Sequence, residues 1–126
     1  MSSISPTREA IEALARSADH GPVVMLNLLK FKRGGGSRAY SRYADAFQVV
    51  LEQHGGRFLY RGRGAELLVG DETWDAVALV EYPSRKVFLE VIAKPEYADM
   101  AKFREDGLER TVLMATTPRV APVSGP

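Results

Sequence analysis

From Val23 to Phe31 the chain is apolar at both alternating sets of positions, interrupted only by Asn27 and Lys30. Apolar residues on both faces belong to a strand covered on two sides, so this segment predicts the central strand of a sheet. Spacing elsewhere predicts its surroundings. Ile11, Leu14, Ala15 and Ala18 recur at helical intervals over 5–19, with Ser5 placed to cap and Pro6 at the first turn. Tyr40, Tyr43, Ala44, Phe47, Val50, Leu51 and His54 form a wider stripe that opens behind the glycine-rich loop 32–37, with Ser37 as its cap, and stops at Gly55-Gly56.

The second half alternates. Residues 57–69 read as a strand with Phe58 and Tyr60 on one face and Leu59 and Arg61 on the other; Gly62 and Gly64 weaken or bulge it, which places it near a sheet edge. A turn at Gly70-Asp71-Glu72 makes a hairpin with a strand from Trp74 to Tyr82. Pro83-Ser84 ends that strand and caps a helix carrying Val87, Phe88, Val91 and Ile92. Pro95 interrupts it, and a short helix from Glu96 carries Tyr97, Met100, Ala101 and Arg104 on one face. Leu108 to Thr116 is the last strand, and the proline-rich tail 117–126 is expected to fray or pack as an extended arm.

The order is a helix followed by βαββαβ, the ferredoxin-like split βαβ arrangement of an α+β fold, with the first and third strands central and the helices on one face. The other face is apolar as well. Left open it exceeds the apolar patch that a soluble monomer tolerates, so a homodimer formed through that face is expected.

Composition narrows the function. The 126 residues suit one domain with a core of its own. There is no cysteine, hence no disulfide, no thiolate metal site and no cysteine nucleophile. A formal charge of +1 gives no field to gather nucleic acid or an anionic membrane, and the segment 75–80 lacks the aromatic pattern of an RNA-stacking sheet. No apolar run approaches a membrane span and the start lacks a signal-type apolar region, so a cytoplasmic protein is expected.

Met25 to Lys32, Tyr40-Ser41-Arg42-Tyr43, Gly55-Gly56-Arg57 with Arg61-Gly62, Trp74-Asp75, Glu81 to Arg85, Pro95-Glu96-Tyr97 and Arg104 together resemble the DUF1330 family over residues 22–116. The resemblance implies the dimeric α+β barrel superfamily, in which two ferredoxin-like sheets pack face to face, with helix 5–19 lying outside its shortest members. Superfamily relatives include small cofactor-free monooxygenases, isomerases and haem enzymes, so the resemblance implies a fold more than a chemistry.

No strong catalytic motif is present. Asn27, the polar residue inside the central strand, suits the orientation of a ligand carbonyl or hydroxyl, or is an amide satisfied by its neighbours. Arg61 and Arg104 can clamp a carboxylate or enolate, or pair with Glu81, Glu66 or Glu105. His54 is a base at a cavity rim or a cap on its helix's last turn; His20 has less claim. Trp74, Tyr43, Tyr82 and Tyr97 are core or the walls of a pocket for a planar ligand. Gly34 to Ser37 lacks the Gly-Lys-Ser/Thr ending of a phosphate loop. Two isolated histidines make no metal signature, and no metal or cofactor is expected. The expected site is one cavity between sheet and helices containing Asn27, Arg61, Trp74, Tyr97 and Arg104, with His54 at its rim. Two readings stand: a small cofactor-free enzyme acting on an apolar or aromatic ligand with a carbonyl or acidic group, and a non-catalytic binding or dimeric interaction module.

Overall fold

Val23–Phe31 forms β1, and the sheet grows along both of its edges. The computed structural model describes residues 4–119. Around β1 it places α1 (Arg8–Ala15), α2 (Gly36–Gln53), β2 (Arg57–Arg63), β3 (Ala76–Tyr82), α3 (Arg85–Ile92), α4 (Pro95–Gly107) and β4 (Leu108–Thr116). The sheet order is β2-β3-β1-β4, every neighbouring pair antiparallel, so the first and third strands are central as the βαββαβ order requires. The fold is a ferredoxin-like α+β fold with an added N-terminal helix.

Alternation along β1 separates two environments. Val23, Met25, Asn27 and Leu29 are buried beneath the helices, where Tyr43, Ala44, Phe47 and Leu51 of α2, Phe88 and Val91 of α3 and Met100 of α4 complete the core. Val24, Leu26 and Leu28 point the other way. The register partners of Leu26 and Leu28 are Leu79 and Val77 of β3 and Met114 and Val112 of β4, those of Val24 are Glu81 and Thr116, and Tyr60 of β2 extends the row beside Leu79. This second face carries no helix, and Met114 and Tyr60 are 51% and 55% exposed on it.

Several boundaries differ from the sequence pattern, each for a local reason. The hydroxyl of Thr7, not Ser5, caps α1 by accepting from Ala10 N at 3.1 Å. At α2 the cap is Gly35 in the left-handed region (φ 111°), and Gly36 N donates to Lys32 O, so the helix has begun before Ser37. Ser84 does cap α3, accepting from Val87 N. Pro95 occupies the first turn of α4, which is longer than the short helix expected. The predicted stop of α2 is a Schellman turn: Gly55, at φ 81°, donates to Glu52 O and Gly56 to Leu51 O.

The largest corrections concern β2. It ends at Arg63 instead of Val69, and β3 begins at Ala76 instead of Trp74. Gly64 N donates to Asp75 O and Asp75 N to Leu29 O, which ties off both ends of the 64–75 loop; a side chain at Gly64 would collide with the Trp74 carbonyl. The irregularity falls between Phe58 and Tyr60, not at the glycines. It shifts the parity of the strand: Arg57 opposes Glu81 on the open face, whereas Arg61 opposes Ala78 beneath the helices, on the same side as Phe58. Of the tail, only residues up to 119 are described. Thr117 is held by Arg85 Nη2 at 2.9 Å and donates to Asp19 at 3.0 Å, and the rest of the expected arm lies outside the described residues.

Phe47, buried and stacked on Tyr43 at a centroid distance of 5.4 Å, tests the packing of α2. Phe47→Ala is expected to lower unfolding stability by about 3–5 kcal/mol, and Val49→Ala, at a position 58% exposed, by less than about 0.5 kcal/mol, both read by denaturant titration.

Candidate functional site

Beneath the helices the core is not completely filled. A chamber of about 30 Å³ lies between sheet and helices, lined by Asn27, Tyr40, Tyr43, Tyr97 and Arg104 among apolar walls that include Phe47, Phe58 and Phe88. Arg104 is 5% exposed. One of its terminal nitrogens donates to Ile4 O; the other is buried with no hydrogen-bond partner, and among the described residues no carboxylate pairs with it. Asn27, 8% exposed, donates through Nδ2 to Met25 O at 3.3 Å, and its carbonyl oxygen accepts nothing from the described residues. The Tyr43 and Tyr97 hydroxyls lie 3.4 Å apart. The chamber is therefore lined by donors and aromatic faces, with a desolvated cation at one side.

Beside it an open cleft of about 570 Å³ is lined by Arg61, Arg63, Ser37, Ser41, Asp75 and the small residues Gly62, Ala76 and Ala78. Tyr40 and Phe58 line both spaces. The Arg61 guanidinium stacks 4.9 Å from the Phe58 ring centroid. Asp75 in this cleft is occupied structurally, accepting from Phe31 N at 2.9 Å.

Of the six residues expected in one cavity, the fold brings together Asn27, Tyr97 and Arg104. Arg61 stands in the adjoining cleft, and neither arginine makes the expected ion pair; Glu81 pairs with Arg57 at 3.0 Å instead. Trp74 lines neither space. It lies in the 64–75 loop with Arg110 5.3 Å from its ring centroid, and Arg110 pairs with Glu72 at 2.7 Å, so Trp74 fastens the loop to β4. His54 is also outside: its Nδ1 donates to Val50 O at 2.8 Å and completes the end of α2. Pattern reading placed Tyr40 in the core stripe. Its hydroxyl has no protein partner among the described residues and faces the influence of both Arg104 and Arg61. A phenol on the core face of the α2 stripe was the available signal for it. Arg63 was missed too, although it follows Arg61 by two residues on one strand. Among the described residues no group of three or more His, Asp or Glu is arranged to hold a metal ion, and no helix is long and apolar enough to cross a membrane.

The family model for a domain of unknown function, DUF1330, matches residues 35–117. The chain belongs to the DUF1330 family. Among solved structures, it is similar to RPA0582, a protein of unknown function from Rhodopseudomonas palustris, with 32% identity, 93% of this chain and 97% of that one covered, and a TM-score of 0.88. More distant is a dabb family protein with a ferredoxin-like fold from Mesorhizobium loti, at 13% identity, 79% and 99% coverage and a TM-score of 0.58. A variant of SnoaB, a cofactor-independent oxygenase from Streptomyces nogalater, superposes at 17% identity with 79% and 95% coverage and a TM-score of 0.56. At these identities the last two establish the fold alone. No curated protein matches the chain.

Burial sets the protonation of the phenols in this DUF1330 chain. It pushes Tyr40 up, with Arg104 and Arg61 opposing; it pushes Tyr43 well up, reinforced by Tyr97; and it pushes Tyr82 far up. All three are neutral hydrogen-bond donors at neutral pH. In the unfolded chain a phenol ionises near pH 10. Above that pH the unfolded state has released protons that the folded state still holds, so these groups lower stability as pH rises through that window and leave it unchanged below. Alkaline titration is expected to develop the phenolate absorbance of Tyr40, Tyr43 and Tyr82 in step with unfolding. Ionisation of all three in the folded protein near pH 10 would contradict their burial.

Proposed function

We propose that the chain binds a small apolar or aromatic molecule bearing an acidic or carbonyl group, and that it stabilises the negative charge of that group in the chamber beneath the helices. The observation that carries this reading is Arg104: a desolvated guanidinium with one unpartnered nitrogen, set in the same chamber as the Asn27 amide and neutral phenols. Fixed donors in a water-poor site act strongly on an oxygen anion, because they need no reorganisation when charge develops. Holding an enolate or phenolate in this way lowers the cost of forming it by proton loss, the step that precedes isomerisation or attack on dioxygen in a reaction that needs no cofactor. The fold shared with SnoaB, described as a cofactor-independent oxygenase, supports a cofactor-free, monooxygenase- or isomerase-like enzyme.

The second reading, a non-catalytic binding module, is favoured by one observation. Among the described residues the chamber is lined by no carboxylate and no histidine, so the protein offers no evident general base there. Turnover of a bound acid or phenol separates the two readings.

We also propose that two copies pair through the helix-free sheet face, since Leu26, Leu28, Val77, Leu79, Val112 and Met114 form a contiguous apolar surface there.

Two measurements test these proposals. Benzoate binding followed by calorimetry is expected to weaken about ten- to hundred-fold in Arg104→Met, the range for loss of a charge-assisted hydrogen bond, with little change in melting temperature. Loss of stability with no effect on binding would make Arg104 purely structural. Light scattering at micromolar concentration is expected to give twice the chain mass, and Leu26→Glu to give monomers; a folded wild-type monomer would remove the face-to-face pairing.

A further inference from the structure

The chamber and the cleft lie over one row of the sheet. Register pairs Arg61 of β2 with Ala78 of β3, and Ala78 with Asn27 of β1, all on the helix-covered side. Two strand spacings, about 10 Å, separate Arg61 from Asn27 along this row. Between them stands Ala78, whose methyl group leaves the floor low. Arg61 reaches this side because the irregularity between Phe58 and Tyr60 reverses the strand's parity. The two spaces also differ in size in a way that divides labour. About 30 Å³ admits a group of a few atoms, whereas about 570 Å³ falls in the usual range for a small-molecule pocket. The two spaces share Tyr40 and Phe58, so the cleft is the space on hand for the body of a ligand whose head group occupies the chamber, and there it meets a second guanidinium.

We infer that the ligand is a two-ended acid, with one acidic group held in the chamber at Arg104 and Asn27, an apolar or aromatic spacer lying over Ala78, and a second acidic group at Arg61 in the cleft. The inference rests on the reading of the chamber as an acid site and adds the class of molecule it accepts. Tyr40 and Phe58 line both spaces, and Arg61 and Asn27 lie on one register row two strand spacings apart, so one small molecule can meet both poles together. The poles are unequal. Arg104 is desolvated and holds its partner strongly, whereas Arg61 is exposed, screened by water and already stacked on Phe58, so it acts as a selector. No carboxylate among the described residues neutralises Arg61.

The test compares phenylacetate with 1,4-phenylenediacetate, which share an aromatic body and differ in the second carboxylate. Calorimetry on the wild-type protein is expected to show the diacid binding about three- to ten-fold tighter. Arg61→Gln is expected to bring the diacid down to the affinity of the monoacid and to leave the monoacid unchanged. Arg104→Met weakens both, and Arg57→Gln, on the opposite face, changes neither. Thermal melting confirms that each variant is folded, and Arg61→Lys, which keeps the charge, retains part of the diacid's advantage. If wild type binds both acids equally while Arg104→Met still weakens them, the two-ended ligand is overturned and the chamber reading stands. If neither acid responds to Arg104→Met, the chamber reading itself fails.

Discussion

β1 is hydrogen-bonded along both edges, and this pairing fixes most of what surrounds it. A strand held between β3 and β4 cannot slip by one residue without exchanging its faces, so Val23, Met25 and Leu29 stay under the helices and Val24, Leu26 and Leu28 stay on the bare side. The same constraint carries Asn27 into the core, because its position shares the parity of Met25 and Leu29. An amide there has little to bond within a sheet whose main-chain groups are already paired. Its nitrogen reaches back only to Met25 O, at 3.3 Å, and the side chain lines the chamber. The polar character of the cavity floor is thus a consequence of register.

The second polar contribution comes from breaking the same rule. In an uninterrupted β2, Arg57 and Arg61 would share a face. The extra residue between Phe58 and Tyr60 separates them, giving Arg57 to Glu81 on the open side and Arg61 to the cleft. Bulges near sheet edges re-aim side chains at little cost, since an edge strand has only one neighbour to satisfy. Next to the bulge, Gly64 admits the close approach of Trp74 and Asp75 that closes the hairpin, and Asp75 is spent on Phe31 N. The cleft is left with Arg61 and Arg63 beside that carboxylate and the hydroxyls of Ser37 and Ser41.

What could be read in the sequence follows from these two cases. Element order, the central strand, the α2 stripe and its glycine stop were legible because period and turn chemistry are local properties. Asn27 and Arg104 were legible as candidates because a polar residue inside an apolar pattern stands out whatever the fold. The facing of Arg61 was not, because parity along β2 depends on a bulge that no glycine marks. Trp74 was assigned to a strand because Trp, Ala, Ala, Val and Tyr continue the alternation. Whether that alternation is used is decided by Gly64 and Asp75, which end the ladder at Ala76. His54 was legible only as a choice between base and cap, and the carbonyl of Val50, one turn back, resolves the choice.

The burial of Arg104 carries an energetic cost. Removing a guanidinium from water is costly, and proteins ordinarily offset that cost with a carboxylate or with a full set of acceptors. Here one main-chain carbonyl, that of Ile4, is what the described residues supply, while the nearby phenols are held neutral by burial. A structural role would be served better by a methionine or leucine in the same volume, which carries no desolvation cost. An uncompensated cation is useful where compensation arrives from outside the chain. On the proposed reading its partner is anionic, small at the end that enters, and able to accept from Arg104 while tolerating the surrounding phenols as further donors. A carboxylate, enolate or phenolate oxygen meets all three conditions. A neutral apolar molecule, however small, is neither anionic nor an acceptor, and it would leave the buried charge uncompensated.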